Sequence, residues 1–179
     1  NPLDAQRLSD EIAWLAPGLS THLHYDHVMW HPDLGEVPRW ATPGTVAMVE
    51  ADRDRVVAPL RRDLPDDLVD VAARDLRPID GALLEWAGPT AVVHVHHAHA
   101  PHHLALELPD LGLLVSGDML SDVELPMPDR DDVDLTTYRT GLESLTDVVR
   151  RSRLQVPGHG SVGDDPARRH VADLRYLDD

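Results

Sequence analysis

THLHYDH, residues 21–27, sets three histidines and an aspartate within seven positions, and the fold is read outward from it. In an extended segment alternate side chains point the same way, so His22 and His24 are placed to grip one ion. Asp26 and His27 follow the bend of the chain and face elsewhere, where they can hold a second ion. A pair of ions needs a shared ligand and further donors from other segments. A carboxylate such as Asp118 can bridge, and neutral imidazoles such as His99 and His159 can complete the two shells.

Those further donors fall in one kind of place. HHAHAPHH (96–103) follows the apolar run AVVHVH, Gly117-Asp118 follows LLVS, and Pro157-Gly158-His159 follows LQV. Each cluster stands where a strand is expected to end. In α/β folds that rim gathers ligand and active-site loops, because strand ends fix side chains while the loops stay open to solvent.

The bulk properties narrow the chemistry. A chain of 179 residues has the length of a single domain, 1–179, with enough mass for a full core. There is no cysteine, which excludes disulfides, thiolate nucleophiles and cysteine-bearing zinc sites and leaves His and carboxylates as ligands. The 32 acidic residues outnumber 16 basic ones for a net charge of −16, which repels nucleic-acid phosphates and anionic lipid. All the basic residues are arginine, a compositional trait of GC-rich coding. No apolar run approaches the roughly 18 residues of a membrane helix, and no leader pattern is seen in NPLDAQRLSD. The expectation is a cytoplasmic protein with a small-molecule substrate, no nucleic acid and no membrane.

Element signals alternate between strand and helix, which makes the class α/β. Helical spacing is predicted from Asp4 to Ala16, from Thr45 through Leu60, from Asp63 to Pro78 and from Leu135 to Val149. A last helix starts at Asp165-Pro166 with Val171, Leu174 and Leu177 on one face. Strands are predicted at LSTHLH, RWAT, LLEWA, AVVHVH and LQV, with HLALEL and GLLVSG forming a hairpin across residues 109–112.

HLHYDH, a His after a strand, then Gly-Asp and a late Pro-Gly-His-Gly together resemble the metallo-β-lactamase-fold hydrolases over almost the whole chain. GLLVSGDMLSDVELP resembles uncharacterised bacterial members. The resemblance implies an αββα sandwich with a dinuclear metal site, usually two zinc ions, with iron or manganese as alternatives. His22, His24 and His99 would hold the first metal, Asp26, His27 and His159 the second, and Asp118 would bridge. His99 follows from aligning the family's PGHxxGH on residues 97–103. Of the other histidines in the tract, His94 and His96 are read as structural, and His97, His102 and His103 as outer partners or a metal-trapping tract. His31 and His170 are read as surface residues.

The chain also departs from the family. Ala98 and His102 stand where glycines are usual, and Val28-Met29-Trp30-His31 replaces a usual Gly-Gly, making a bulkier wall. Only one helix and one strand precede the HxHxDH motif, so the sandwich is expected to be incomplete at its N-terminus. Such a chain is either a fragment or is completed by a partner chain, as in a homo-oligomer. With two ions about 3.5 to 4 Å apart, a bridging water is deprotonated near neutral pH and serves as the nucleophile. Asp26 and Asp118 would orient it against an ester, thioester or lactone carbonyl, and Tyr138 is a candidate proton donor to the leaving group. Trp30, His31, Met119 and Met127 are candidate wall residues. Two alternatives remain open at this stage: an iron-dependent redox enzyme of the same fold, or a non-catalytic metal-binding protein.

Overall fold

The computed structural model describes residues 17–129 and 133–178. The helix expected from Asp4 to Ala16 lies outside them. The chain divides into two compact units, Asn1–Ile79 with Glu85–Gly88 and Asp80–Leu84 with Pro89–Asp179.

The first unit is built on a parallel three-stranded sheet in the order β1 (Gly18–Leu19), β2 (Arg39–Ala41), β3 (Leu76–Pro78). Strand β1 ends earlier than the run LSTHLH suggests, because the chain bends from Thr21 onward and passes into a 3-10 turn at Tyr25–His27. Helix α1 (Pro43–Val57) starts where Thr42 accepts the backbone N–H of Thr45 and Pro43 fills the first turn. Its path is broken at Asp52, where φ is −156° and ψ is 69°. The core holds Val28, Val49, Val57, Leu60, Val69, Ala72 and Ala73. Val28, expected to thicken a pocket wall, is therefore a core residue.

The helix expected from Asp63 to Pro78 is a correction. It is only α2 (Asp66–Val71), and Leu76–Pro78 continues as β3 against β2. Periodicity could not show the break, because two arginines impose it from outside. Arg53 donates to the carbonyls of Val69 at 2.7 Å and Ala72 at 2.8 Å, and Arg39 donates to that of Val71 at 3.0 Å. These are carbonyls a helix end leaves without intrahelical partners. Ala73 and Asp75 then take positive φ values of 50° and 54° to turn the chain into the strand.

The second unit is a four-stranded sheet in the order β4 (Val92–His96), β5 (His103–Leu108), β6 (Leu113–Gly117), β7 (Leu154–Pro157). The first two pairings are antiparallel, the second of them the hairpin that the sequence predicts, and β6 with β7 is parallel. Helices α3 (Leu135–Ser144) and α4 (Thr146–Arg151) replace the single helix expected from Leu135 to Val149, and α5 (Pro166–Tyr176) follows β7. Asp134 and Asp165 cap α3 and α5 by accepting N–H groups three residues on. The core includes Ala105, Leu114, Met119, Leu120, Tyr138, Leu142 and Val149, with Leu174 and Leu177 packed on it.

Four further expectations are corrected here. LLEWA is not a strand; only Leu83 bridges to Val92. Met119 is a core side chain rather than a pocket wall. On α5 His170 and Asp173 are buried and Leu174, with Leu177 just beyond the helix, packs on the core as expected, whereas Val171 is 45% exposed. His170 is thus no surface residue, and its Nε2 lies 2.8 Å from the Leu142 carbonyl. Among the described residues no helix is long and apolar enough to cross a membrane.

Two charged groups in this unit give measurable consequences. Glu107 is buried on β5 and takes a two-pronged pairing from Arg151, with both N–O distances 2.6 Å, while His94 Nε2 stands 2.8 Å away. Arg151 above all holds the Glu107 carboxyl below its ordinary range. Such a group stabilises the fold above its unfolded pKa, and the contribution is lost as pH falls through the lower folded value. Arg151→Met should cost about 2 kcal/mol at pH 7, less than a fully buried pair because Arg151 is half-exposed. In urea titrations its deficit should shrink towards pH 3. Asp173 shows the opposite sign: burial pushes its carboxyl up to about 6. Its stabilising contribution is complete below the unfolded value and is lost as pH rises through 6. Asp173→Asn should therefore stabilise the fold at pH 7.5 by on the order of 1–2 kcal/mol after allowing for solvent screening, read as a higher melting temperature, with the gain vanishing near pH 4.

Candidate metal centre

In the first unit the donors of THLHYDH are held by a residue that motif reading passed over. Thr21 Oγ1 lies 3.1 Å from His22 Nδ1 and 3.1 Å from His27 Nδ1. One buried hydroxyl thus engages the same nitrogen of both rings and leaves Nε2 as the nitrogen turned away. The ring of His22 lies 4.4 Å from that of His24 and 4.1 Å from that of His27, centre to centre. Asp26 Oδ2 stands 3.6 Å from His27 Nε2. The four residues are adjacent because the chain bends directly after β1 and closes a 3-10 turn, in which the His27 N–H donates to the His24 carbonyl at 3.0 Å. Val28 anchors the end of the turn: it lies in the core and its carbonyl accepts the N–H of Ala73 at 2.7 Å.

In the second unit topology does the gathering. Strands β4, β6 and β7 run in the same direction, since two antiparallel steps separate β4 from β6 and β7 is parallel to β6. Their C-terminal ends share one edge of the sheet, and His99, Asp118 and His159 follow those ends. Asp118 Oδ2 lies 3.5 Å from His99 Nε2 and 3.6 Å from His159 Nε2.

These spacings discriminate between two readings. His99 Nδ1 lies 2.9 Å from the Met127 carbonyl, an acceptor, so that nitrogen carries the hydrogen and in a neutral ring Nε2 is a lone pair. A lone pair and a carboxylate oxygen cannot hydrogen-bond to each other; a cation between them satisfies both. Two ligands of one tetrahedral ion with bonds near 2.0–2.1 Å stand about 3.3–3.4 Å apart. The three N–O separations of 3.5–3.6 Å, two at Asp118 and one at Asp26, are close to that value. The donors present fit a metal centre, with Asp118 Oδ2 at ion-ligand spacing from both His99 and His159.

The His-rich tract separates by role. His103 is fully buried; its Nε2 accepts the backbone N–H of Asp118 at 3.2 Å and its Nδ1 lies 3.1 Å from His96 Nε2. Burial, the largest cause, pushes the His96 pKa down to about 3, so that ring stays neutral and supports the strand rather than carrying charge. His94 is taken by Glu107. His97 Nδ1 accepts the N–H of His102 in the loop. His102 itself has φ 57°, the left-handed conformation that the glycine usual there would adopt without strain. Ala98 has no positive φ; it is fully buried against Gly141, where an added Cβ would come within 2.8 Å of the Ala98 Cβ.

Other expected site residues are placed elsewhere. Tyr138 lies in the core, and burial pushes its hydroxyl pKa up, which makes it a weaker acid than a free phenol. Trp30 lines a cavity of about 600 Å³ in the first unit, where the Arg39 guanidinium lies 5.2 Å from its ring centre. His31 is exposed and accepts the N–H of Asp33. Met127 is exposed and contributes its carbonyl to His99. Glu124, not singled out by any motif, brings a carboxylate oxygen within 4.8 Å of donor atoms of both Asp118 and His159.

No curated protein sequence matches the chain at a significant level. Solved structures share its fold. A metallo-beta-lactamase family protein from Thermus thermophilus superposes with a TM-score of 0.68 at 20% identity, over 96% of this chain and 65% of that one. A protein solved in a di-iron-bound form gives a TM-score of 0.67 at 20% identity, over 94% and 82% of the two chains. A metallo-beta-lactamase from Pontibacter korlensis gives 0.63 at 18% identity, over 97% and 76%. The sequence model of the metallo-beta-lactamase superfamily matches residues 19–160, a span that begins at β1 and ends one residue beyond His159. With an α/β architecture of two sheets and helices and the HxHxDH, Gly-Asp and Pro-Gly-His segments all at strand ends, this chain belongs to the metallo-beta-lactamase superfamily.

Proposed function

We propose that this protein is a metal-dependent hydrolase of small molecules carrying an ester, thioester or lactone carbonyl. In this reading His22, His24 and His99 hold one metal ion, Asp26, His27 and His159 hold a second, and Asp118 bridges. The observation that supports it most is the placement of Asp118 Oδ2, 3.5 Å from His99 Nε2 and 3.6 Å from His159 Nε2. When bound, such ions polarise a carbonyl and lower the pKa of water towards neutrality. The chain's own residues then position and orient. The Asp26 and Asp118 carboxylates accept hydrogen bonds from the attacking water and fix its direction. Thr21 and the Met127 carbonyl hold His22, His27 and His99 by Nδ1, so that Nε2 is presented. His103 fixes the backbone from which Asp118 projects. No side-chain nucleophile is required, which agrees with a sequence that has no cysteine.

A second reading, iron-dependent redox chemistry on the same donors, is favoured by one finding, the structural neighbour solved in a di-iron-bound form. Zinc and iron are separated by elemental analysis of protein purified without a His-tag or added metal. About two metal ions per chain, with zinc in at least one position and loss of both metal and hydrolysis in His24→Ala and Asp118→Ala, is the expected result. On a panel of esters, thioesters and lactones Asp118→Ala should lower turnover by at least about a hundredfold. Iron in both positions without hydrolysis of any ester, thioester or lactone would move the redox reading ahead, and metal content and hydrolysis unchanged in Asp118→Ala would overturn the proposal. More than two ions at graded affinity with no turnover would mark a non-catalytic metal-binding protein.

A further inference from the structure

Among the described residues, Glu124 is a donor near the candidate centre that the superfamily motifs do not supply. It lies in the segment Ser121–Glu124, which follows β6 and is pinned to the loop carrying His159. Ser121 Oγ donates to the His159 carbonyl at 2.8 Å and accepts the N–H groups of Val123 at 3.1 Å and Glu124 at 3.0 Å. Asp122 Oδ1 accepts the Ser161 N–H at 2.7 Å. Gly160 lets the two segments approach: its φ is 110°, and a Cβ there would fall 2.3 Å from Asp122 Oδ1. The loop holding Glu124 and the loop holding His159 are thus fastened together by side-chain contacts that all lie within the second unit. The outcome is a triad in which Asp118, Glu124 and His159 each offer a ligand atom within 4.8 Å of the others.

We propose that Glu124 is an additional carboxylate ligand of the second metal and biases that position towards manganese or iron over zinc. This rests on the metal-binding reading given above. In that reading the second position already has Asp26, His27, His159 and the bridging Asp118, four protein donors that fill a tetrahedral zinc shell before the attacking water is counted. A fifth protein donor exceeds that shell and suits the five- or six-coordinate, oxygen-rich surroundings that manganese and iron accept. Donors around an octahedral ion with bonds near 2.1 Å stand about 3.0 Å apart when adjacent and about 4.2 Å when opposite. Both spacings fall inside the 4.8 Å limit of the triad. Glu124 is exposed, so its carboxylate reaches the ion without disturbing the core.

The test is metal competition on the full chain. Wild type, Glu124→Gln and Glu124→Asp are stripped with a chelator and equilibrated with equimolar Mn(II) and Zn(II). Bound metal is then counted by elemental analysis, and the manganese environment is read by electron paramagnetic resonance. Glu124→Gln should lower the bound Mn-to-Zn ratio by about tenfold and alter the manganese signal, while Glu124→Asp, which keeps a carboxylate, should lose less. Unchanged melting of the metal-free variants verifies that folding is intact. Equal Mn-to-Zn ratios in wild type and Glu124→Gln, with two ions still bound, would overturn the role of Glu124 and leave the hydrolase reading standing. A wild-type chain that holds no stoichiometric metal would overturn the hydrolase reading itself, whatever the variant does.

Discussion

The parallel pairing of β6 with β7 is the constraint from which the rest of the second unit follows. It sets Gly117 beside Pro157, and the Gly158 N–H donates to the Gly117 carbonyl at 2.8 Å. Asp118 and His159 are the next residues out, so their side chains meet because two strands end at the same level. The ladder shifts register between Val115 and Gly117, and Gly117 takes φ 56°. A single residue of slip in such a ladder would send Asp118 to the opposite face. Parallel strands need a long crossover, here α3 and α4, whose apolar faces pack on the sheet as its core. Helix packing and donor placement are therefore two results of one strand pairing.

A second layer of control is polar and buried. His103, fully enclosed at the start of β5, accepts the backbone N–H of Asp118. A buried imidazole without a partner would be costly, so this contact contributes to stability and to aim at once. Thr21 does the same in the first unit for His22 and His27. In both places the donors are oriented through the ring nitrogen or the backbone on the far side from the open position, which is how imidazole and carboxylate ligands are generally fixed.

The sequence was legible where a pattern repeats within a short window. Alternation in VVHVH, HLALEL and LLVSG, the turn at residues 109–112, and the Asp165 cap each depend on neighbours in the chain, and each element formed close to its expected bounds. The HxHxDH, Gly-Asp and Pro-Gly-His segments were readable for the same reason. What could not be read depends on distant partners. The helix expected to run to Pro78 is ended by Arg39 and Arg53, more than a dozen residues away. His170 has an exposed-looking sequence context, yet it is buried by its contact with Leu142. Tyr138 and Met119 read equally well as site or core residues, and only packing against Leu114 and Leu142 decides. Thr21 and Glu124 carried no signal, since a threonine before a histidine and a glutamate ahead of Leu-Pro occur in any loop.

The topology of the second unit also sets an order of assembly. Strands β4, β5 and β6 are consecutive antiparallel neighbours joined by short connections, and pairings so close along the chain are the fastest to form. His103 and Asp118 can be brought into register by these local events alone. Strand β7 pairs with β6 across a crossover that includes α3 and α4, at a higher cost of loop closure, which favours later docking. On that ordering His159 is placed after Asp118. An ion that needs both Asp118 and His159 would bind only chains that have completed this step, and by mass action would draw the nearly folded population into the finished one.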